Sequence, residues 1–209
     1  MTTLSNVKKL SVIAAGATCL SLGAMNPAHA LGFTGSYAPS NFTLTNTKAD
    51  GSVDTSGSPG SGSVDTSGSP ASIKLAGGDN QSGQSGQTSY LTKAVGAGLV
   101  SFNWDYKTVD ASAAYDPFGY LLNGSFFQLS SPRLLSSSGL ASFAVKAGDK
   151  FGFAVQTTDN LYGRASVQIS NLKAPAPTAI PTPALLPGLV GLGLGVLRKR
   201  KAAATAVEA

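Results

Sequence analysis

The sequence predicts an all-β domain, an antiparallel β-sandwich of jelly-roll-like type, set between two apolar ends. Three observations predict it. Val100–Lys107 alternates apolar and polar residues along its length, with Val100, Phe102, Trp104 and Tyr106 on one face. Asn123-Gly124 stands between two apolar runs, and this pair is the one a two-residue type I′ hairpin prefers. Charge is sparse, Ser, Thr and Gly are frequent, and helical periodicity is missing from the middle of the chain. A closed barrel is the other architecture such a pattern allows.

The first element is a leader. Lys8-Lys9 form a positive region, Leu10 to Leu22 an apolar one, and Ala28-His29-Ala30 a small-x-small cleavage site. Residues 1–30 therefore read as a signal helix, with Ala28 and Ala30 marking the cleavage and a mature chain from about Leu31. The domain spans 31–174, long enough to bury a real core.

Its strands follow in order. Asn41–Asn46 alternates with period two. Gly51–Pro59 (GSVDTSGSP) recurs without change as Gly62–Pro70. Two copies do not make a solenoid, and their Gly, Ser and Pro content predicts a flexible loop insertion over 51–70. Ala71–Ala76 is a short strand, Gly77–Gln87 a polar loop, and Tyr90–Val95 a strand. After Val100–Lys107 comes a loop, Asp110–Pro117, then the hairpin strands Phe118–Leu122 and Ser125–Leu129. Phe143 and Val145 alternate, Ala147-Gly148-Asp149 turns, and Phe151, Phe153 and Val155 share a face. Arg164–Leu172 is the last strand. Some eight to ten short strands result, joined by turns.

A proline-rich linker, 175–183, leads into a second apolar segment, 184–201, and a short tail, 202–209. Ala184 to Leu197 carries no charge, and as a helix rising ~1.5 Å per residue it spans about 21 Å, short of the ~30 Å hydrocarbon core. Arg198, Lys199, Arg200 and Lys201 then stop it, on the cytoplasmic side by the positive-inside rule. The body of the protein is thereby expected outside. The competing reading is a buried C-terminal helix with a basic tip, which Gly188, Gly191, Gly193 and Gly195 weaken.

Composition excludes whole classes of chemistry. Residues 31–174 contain no Cys, His, Met or Glu. Neither a Ser-His-Asp nor a Cys-His arrangement can form there, nor an ordinary zinc, haem or iron–sulfur site, nor a disulfide. The whole chain carries a formal charge of +5, but 31–174 holds nine Lys and Arg against nine Asp. The excess sits in the two ends, so the domain lacks the clustered cations that nucleic acid requires.

Pro181-Thr182-Pro183-Ala184, the Leu/Gly/Val segment after it and the basic cluster from Arg198 resemble the PEP-CTERM class of bacterial sorting signals. The likeness is to the Pro-Thr-Pro-Ala variant familiar from cyanobacteria. It implies that an exosortase, a membrane-embedded transpeptidase-like protease, cuts near the motif and releases or relocates the protein. The body from Asn41 to Leu172 resembles a domain of such exported proteins, which implies a sandwich and no particular activity.

Candidate sites lie on the loops. Asp110, Asp116, Asp159 and Asn160 follow strong strands and offer the oxygen ligands that calcium takes. The plainer reading is that they cap turns, since Asp116-Pro117 and Asp159-Asn160 are ordinary turn dipeptides. Nothing marks a carboxyl pair at the spacing glycoside hydrolysis needs. Trp104 falls on the core face, which leaves Tyr115, in a loop, as the better candidate for an exposed, sugar-stacking ring. The expectation is a non-catalytic exported surface or extracellular-matrix protein without a cofactor. Its partners would be an exosortase-type protease, the membrane and an exopolysaccharide, and no nucleic acid. The alternative is a small carbohydrate-binding module, with calcium as an aid.

Overall fold

The computed structural model describes residues 29–53 and 61–177. The expected signal helix, the sorting motif, the C-terminal hydrophobic segment and its basic stop lie outside these residues. Among those described, no helix is long and apolar enough to cross a membrane.

Two antiparallel sheets make up the fold. Eleven strands run in order: β1 (His29–Leu31), β2 (Thr43–Lys48), β3 (Ser63–Asp65), β4 (Ser72–Ala76), β5 (Gly86–Lys93), β6 (Gly98–Thr108), β7 (Phe118–Leu122), β8 (Ser125–Gln128), β9 (Ser136–Val145), β10 (Lys150–Thr157) and β11 (Ala165–Pro175). One sheet has the order β3-β4-β11-β6-β9, with β1 also paired to β11; the other has β2-β5-β10-β7-β8. The sheets stack as a sandwich rather than closing as a barrel.

The core forms where the inward faces meet. Val100, Phe102, Trp104 and Tyr106 of β6 are buried, as the alternation predicts, with Val167 and Ile169 of β11 and Ile73 and Leu75 of β4 beside them. Phe151, Phe153 and Val155 of β10 oppose them from the other sheet. Phe102 meets Phe153 edge to face at 4.9 Å, and Trp104 meets Phe118 at 5.8 Å. Asn123 and Gly124 both have positive φ in the β7–β8 hairpin, as a type I′ turn requires.

Several boundaries differ from expectation for physical reasons. β5 starts at Gly86, inside the expected polar loop, because β2 and the turn before it satisfy its hydroxyls. Thr88 Oγ1 donates to Asn46 Oδ1 at 2.8 Å, Ser89 Oγ to the Thr45 carbonyl, and Thr92 Oγ1 to the Asn41 carbonyl. β1 begins at His29 and pairs with Lys173–Pro175, so strand structure overlaps both the expected leader and the first residue of the expected linker. Tyr37 Oη ties this region down by donating to the Pro175 carbonyl at 2.7 Å.

The duplicated segment needs the larger correction. Its second copy is not a flexible loop: Ser63–Asp65 pairs with Lys74–Ala76 as an edge strand, and Val64 packs against the core. Asp65 Oδ1 then accepts the Ser67 N–H to turn the chain. In the first copy Val53 bridges Thr47 of β2, and 54–60 lie outside the described residues. The two copies thus meet different surroundings. A Cβ on Gly62 would stand 1.8 Å from Thr88 Oγ1, whereas Gly51, at φ +80°, faces open space.

Gly62→Ala is therefore expected to cost about 2–3 kcal/mol through overpacking against a hydrogen-bonded threonine. Gly51→Ala should cost only about 1 kcal/mol, the strain of a left-handed backbone on alanine. Urea midpoints at constant m-value check this, and equal shifts would contradict the assigned contacts.

Candidate functional site

Strand directions divide the connections between the two ends of the sandwich. Loops 77–85, 109–117, 129–135 and 158–164 lie at one end, each crossing from one sheet to the other, and the described parts of the β2–β3 connection, 49–53 and 61–62, belong to the same end. The opposite end carries 32–42, 66–71, 94–97, 123–124 and 146–149, of which 32–42, 94–97 and 146–149 also cross between the sheets. Sheets of a sandwich lie ~10 Å apart, which a crossing loop must span. Asp110, Asp116, Asp159, Asn160 and Tyr115 all belong to the five-loop end.

A cleft of about 280 Å³ opens there between the ends of β2, β5 and β10 and the start of β3. Amides and hydroxyls stand along its lining, among them Asn46, Asn80, Gln84, Gln87, Thr88 and Asn160, between apolar surface, with Lys48 and Asp50 as its two charged residues. Internal hydrogen bonds fix the frame. Asn46 Nδ2 donates to the Gly62 carbonyl at 2.9 Å, joining β2 to the second repeat copy. Asn160, at φ 55°, donates from Nδ2 to the Gln84 carbonyl at 2.8 Å and accepts the Gln81 N–H on its own carbonyl. That leaves the Gln84 side chain exposed at the mouth, and Asn80 keeps its Nδ2 donors after Oδ1 accepts the Ser82 N–H.

Beneath the cleft lies a buried carboxyl. Asp116 is 1 % exposed; its Oδ2 accepts from Thr108 Oγ1 at 2.7 Å, while Oδ1 is buried without a hydrogen-bond partner. Burial pushes its pKa up to about 6, the Thr108 bond opposes the shift, and the nearby Asp110 and Asp159 charges add to it. Thr157 stands beside this carboxyl, and its hydroxyl accepts the Asn160 N–H, so one side chain links the buried acid to the cleft wall. Tyr106, whose Oη donates to the Asp116 carbonyl, is itself pushed up to about 12, mainly by burial and then by the Asp116 charge.

The structure thus gathers the four expected calcium residues at one end and gives each a local task. Asp110 Oδ1 accepts the Ser112 N–H, and Asp159 Oδ1 accepts the Leu161 N–H, both as turn caps. Among the described residues, no group of three or more His, Cys, Asp or Glu is arranged to hold a metal ion. Tyr115 is 43 % exposed, and its carbonyl accepts the Thr158 N–H, which binds loop 109–117 to loop 158–164. Sequence reasoning missed Tyr162, 78 % exposed at φ 61° on the second of these loops. It also missed the cleft amides, whose one signal was the density of Asn and Gln in 80–87.

No family model matches the chain, and no curated protein matches it. Among solved structures it is similar to a family 35 carbohydrate binding module from Clostridium thermocellum, at 9 % identity and a TM-score of 0.31, over 61 % of this chain and 97 % of that one. A family 35 module from an environmental isolate matches at 19 % identity and 0.33, over 57 % and 90 %. The module of Cellvibrio japonicus Abf62 matches at 13 % and 0.31, over 65 % and 99 %.

Asp116 sets a pH dependence of stability. Its folded pKa, about 6, lies above the ordinary 3.8, so the folded state holds the proton more tightly. The resulting stabilisation is complete below about pH 4 and is lost as pH rises through about 6. Asp116→Asn should therefore be more stable than the parent at pH 7.5, by no more than about 3 kcal/mol, and equal to it near pH 4. Melting temperatures at both pH values check the sign.

Proposed function

We propose that the chain is an exported, non-catalytic component of the cell envelope or extracellular matrix, and that its five-loop end binds a saccharide. The cleft is the observation that carries the binding. A polyhydroxylated ligand is held by amides and hydroxyls that donate and accept at close spacing, and here they line one concave surface at the end of a rigid sandwich. Tyr115 and Tyr162, exposed on the adjoining loops, offer ring faces to a longer chain such as an exopolysaccharide. Asp116, the carboxyl with the raised pKa, is buried under Thr108 and Thr157 and so suits a structural role better than contact with substrate. Calcium stays outside this reading, since Asp110 and Asp159 each cap a turn with one carboxylate oxygen and no group of three or more His, Cys, Asp or Glu among the described residues is arranged to hold a metal ion. Delivery in this proposal rests on the terminal segments: a cleaved leader, then sorting at Pro181–Ala184 by an exosortase-type protease.

Binding is tested by isothermal titration against a panel of neutral and acidic polysaccharides. The expected result is saturable binding to at least one, weakened roughly tenfold or more in Asn80→Ala/Gln84→Ala with the melting temperature unchanged. A panel without binding, or a double variant that binds as before, would overturn the site.

Delivery is tested by the intact mass of the protein recovered from the envelope and the medium of its host. Loss of both the first ~30 residues and the segment after about Pro183 is expected. A membrane-bound species lacking the leader alone would make the tail a permanent anchor and refute sorting.

A further inference from the structure

Each sheet of an open sandwich has two edge strands, and an edge left bare presents unpaired N–H and C=O groups to any other strand. Three of the four edges here are blunted. β3 is three residues long and ends on Asp65; β8 has four residues; β2 ends on Lys48 and is partly covered where Val53 bridges Thr47. β9 is different. It runs ten residues, Ser136–Val145, without a charge or a proline, and pairs with β6 in unbroken register from Lys107↔Ser136 to Gly98↔Val145. Neither a bulge nor a second strand among the described residues protects its outer side.

The flank that carries this edge is also apolar. Leu140 is 70 % exposed on β9, and Leu134 and Leu135, just before the strand, are about half exposed. On the facing edge of the other sheet, Phe127 is partly exposed and stacks on Tyr120 at 4.8 Å, which in turn stacks on Phe143 of β9 at 4.1 Å.

We propose that β9 pairs with β9 of a second copy of this chain, antiparallel about a two-fold axis at Leu140, so that the sheet runs on through both molecules. Residues facing each other across an antiparallel pair share a face of the sheet, so the pairing must join outward residues to outward residues. With Leu140 on the axis it does: Leu140 meets its own copy, and Ser138 meets Ser142 of the second copy. Gly139 meets Ala141, and Ser137 meets Phe143. Charge agrees with this register. The strand opposes no two like charges. Arg133, the one cation between Leu129 and Val145, is carried to the second copy's Lys146–Asp149 turn. The Asp149 carboxylate there is held below its usual pKa by the Lys146 N–H and the Asn123 amide, so it is ionised, and it balances the Lys146 ammonium of the same turn. Because the other edges are blunted, the assembly closes as a dimer and does not propagate into a fibre.

The test is the mass of the full chain in mild detergent, by size exclusion with light scattering, at micromolar to submillimolar concentration. A dimer is expected. Ser138→Lys/Ser142→Lys, on exposed outward positions, should raise the dissociation constant by roughly tenfold or more. Ser138→Asp/Ser142→Lys should restore the dimer, because the carboxylate at 138 then faces the ammonium at 142 of the second copy. Unchanged melting temperatures show that both variants fold. A monomeric parent, or a dimer indifferent to the two lysines, would overturn the proposal. So would a chain that dimerises only after removal of residues 178–209, since its own tail would then be what covers β9.

Discussion

Everything in this fold depends on Phe153 holding the two sheets together. Its ring meets Phe102 of the opposite sheet edge to face at 4.9 Å, Phe33 of the N-terminal segment at 6.2 Å, and stacks with Phe42 at 6.3 Å. With no cysteine in the domain, nothing covalent can share that task. Each buried aromatic side chain removes roughly 150–250 Å² from water, and at about 25 cal/mol per Å² a cluster of them outweighs what scattered surface charges contribute. The chain passes from one sheet to the other at both ends, and the concave surface lies at the end where β2, β5 and β10 meet the start of β3.

How much of this was legible in the sequence follows from what each element buries. β6 has one wet and one dry face, so its residues alternate and the strand can be read directly. The Asn123-Gly124 hairpin is legible because only a few residues accept two successive left-handed conformations. β3 and the first half of β9 are hidden, because Ser and Gly carry the signature of loops wherever they stand. In β3 the single Val64 supplies the core contact, and Gly62 is there for closeness to Thr88 rather than for flexibility. Only the start of β5 was concealed, by Thr88 and Ser89, polar residues whose burial depends on acceptors some forty positions earlier in the chain.

The candidate site shows the same division. The loop aspartates could be named because each follows a strong strand and begins a turn dipeptide. That they share one end follows from strand directions, which the order of turns nearly determines. The cleft could not be named, since its wall joins Asn46, Gln84 and Asn160, which only the pairing of β2 with β5 and of β5 with β10 brings together. Identical sequence is no guide either: Val53, in the described part of the first copy, bridges β2 of one sheet, whereas its counterpart Val64 lies in β3 of the other.

Strand direction also decides how the molecule faces its surroundings. β1 and the end of β11 pair with each other, His29 opposite Pro175, at the end of the sandwich remote from the five loops. The segments proposed to carry the address, 1–30 and 175–201, therefore join the domain at that end. A domain held to a membrane from that end, even briefly before cleavage, presents its polar cleft and the exposed tyrosines outward. The β9 edge runs along the flank between the two ends. Pairing there leaves both clefts open, and because the two strands run antiparallel it turns them toward opposite ends of the dimer. Attachment and antiparallel pairing thus make different demands, since two domains tethered side by side to one flat surface would run parallel. A dimer through β9 is therefore compatible with domains that are free to turn about their attachment, and not with two held rigidly side by side on one flat surface.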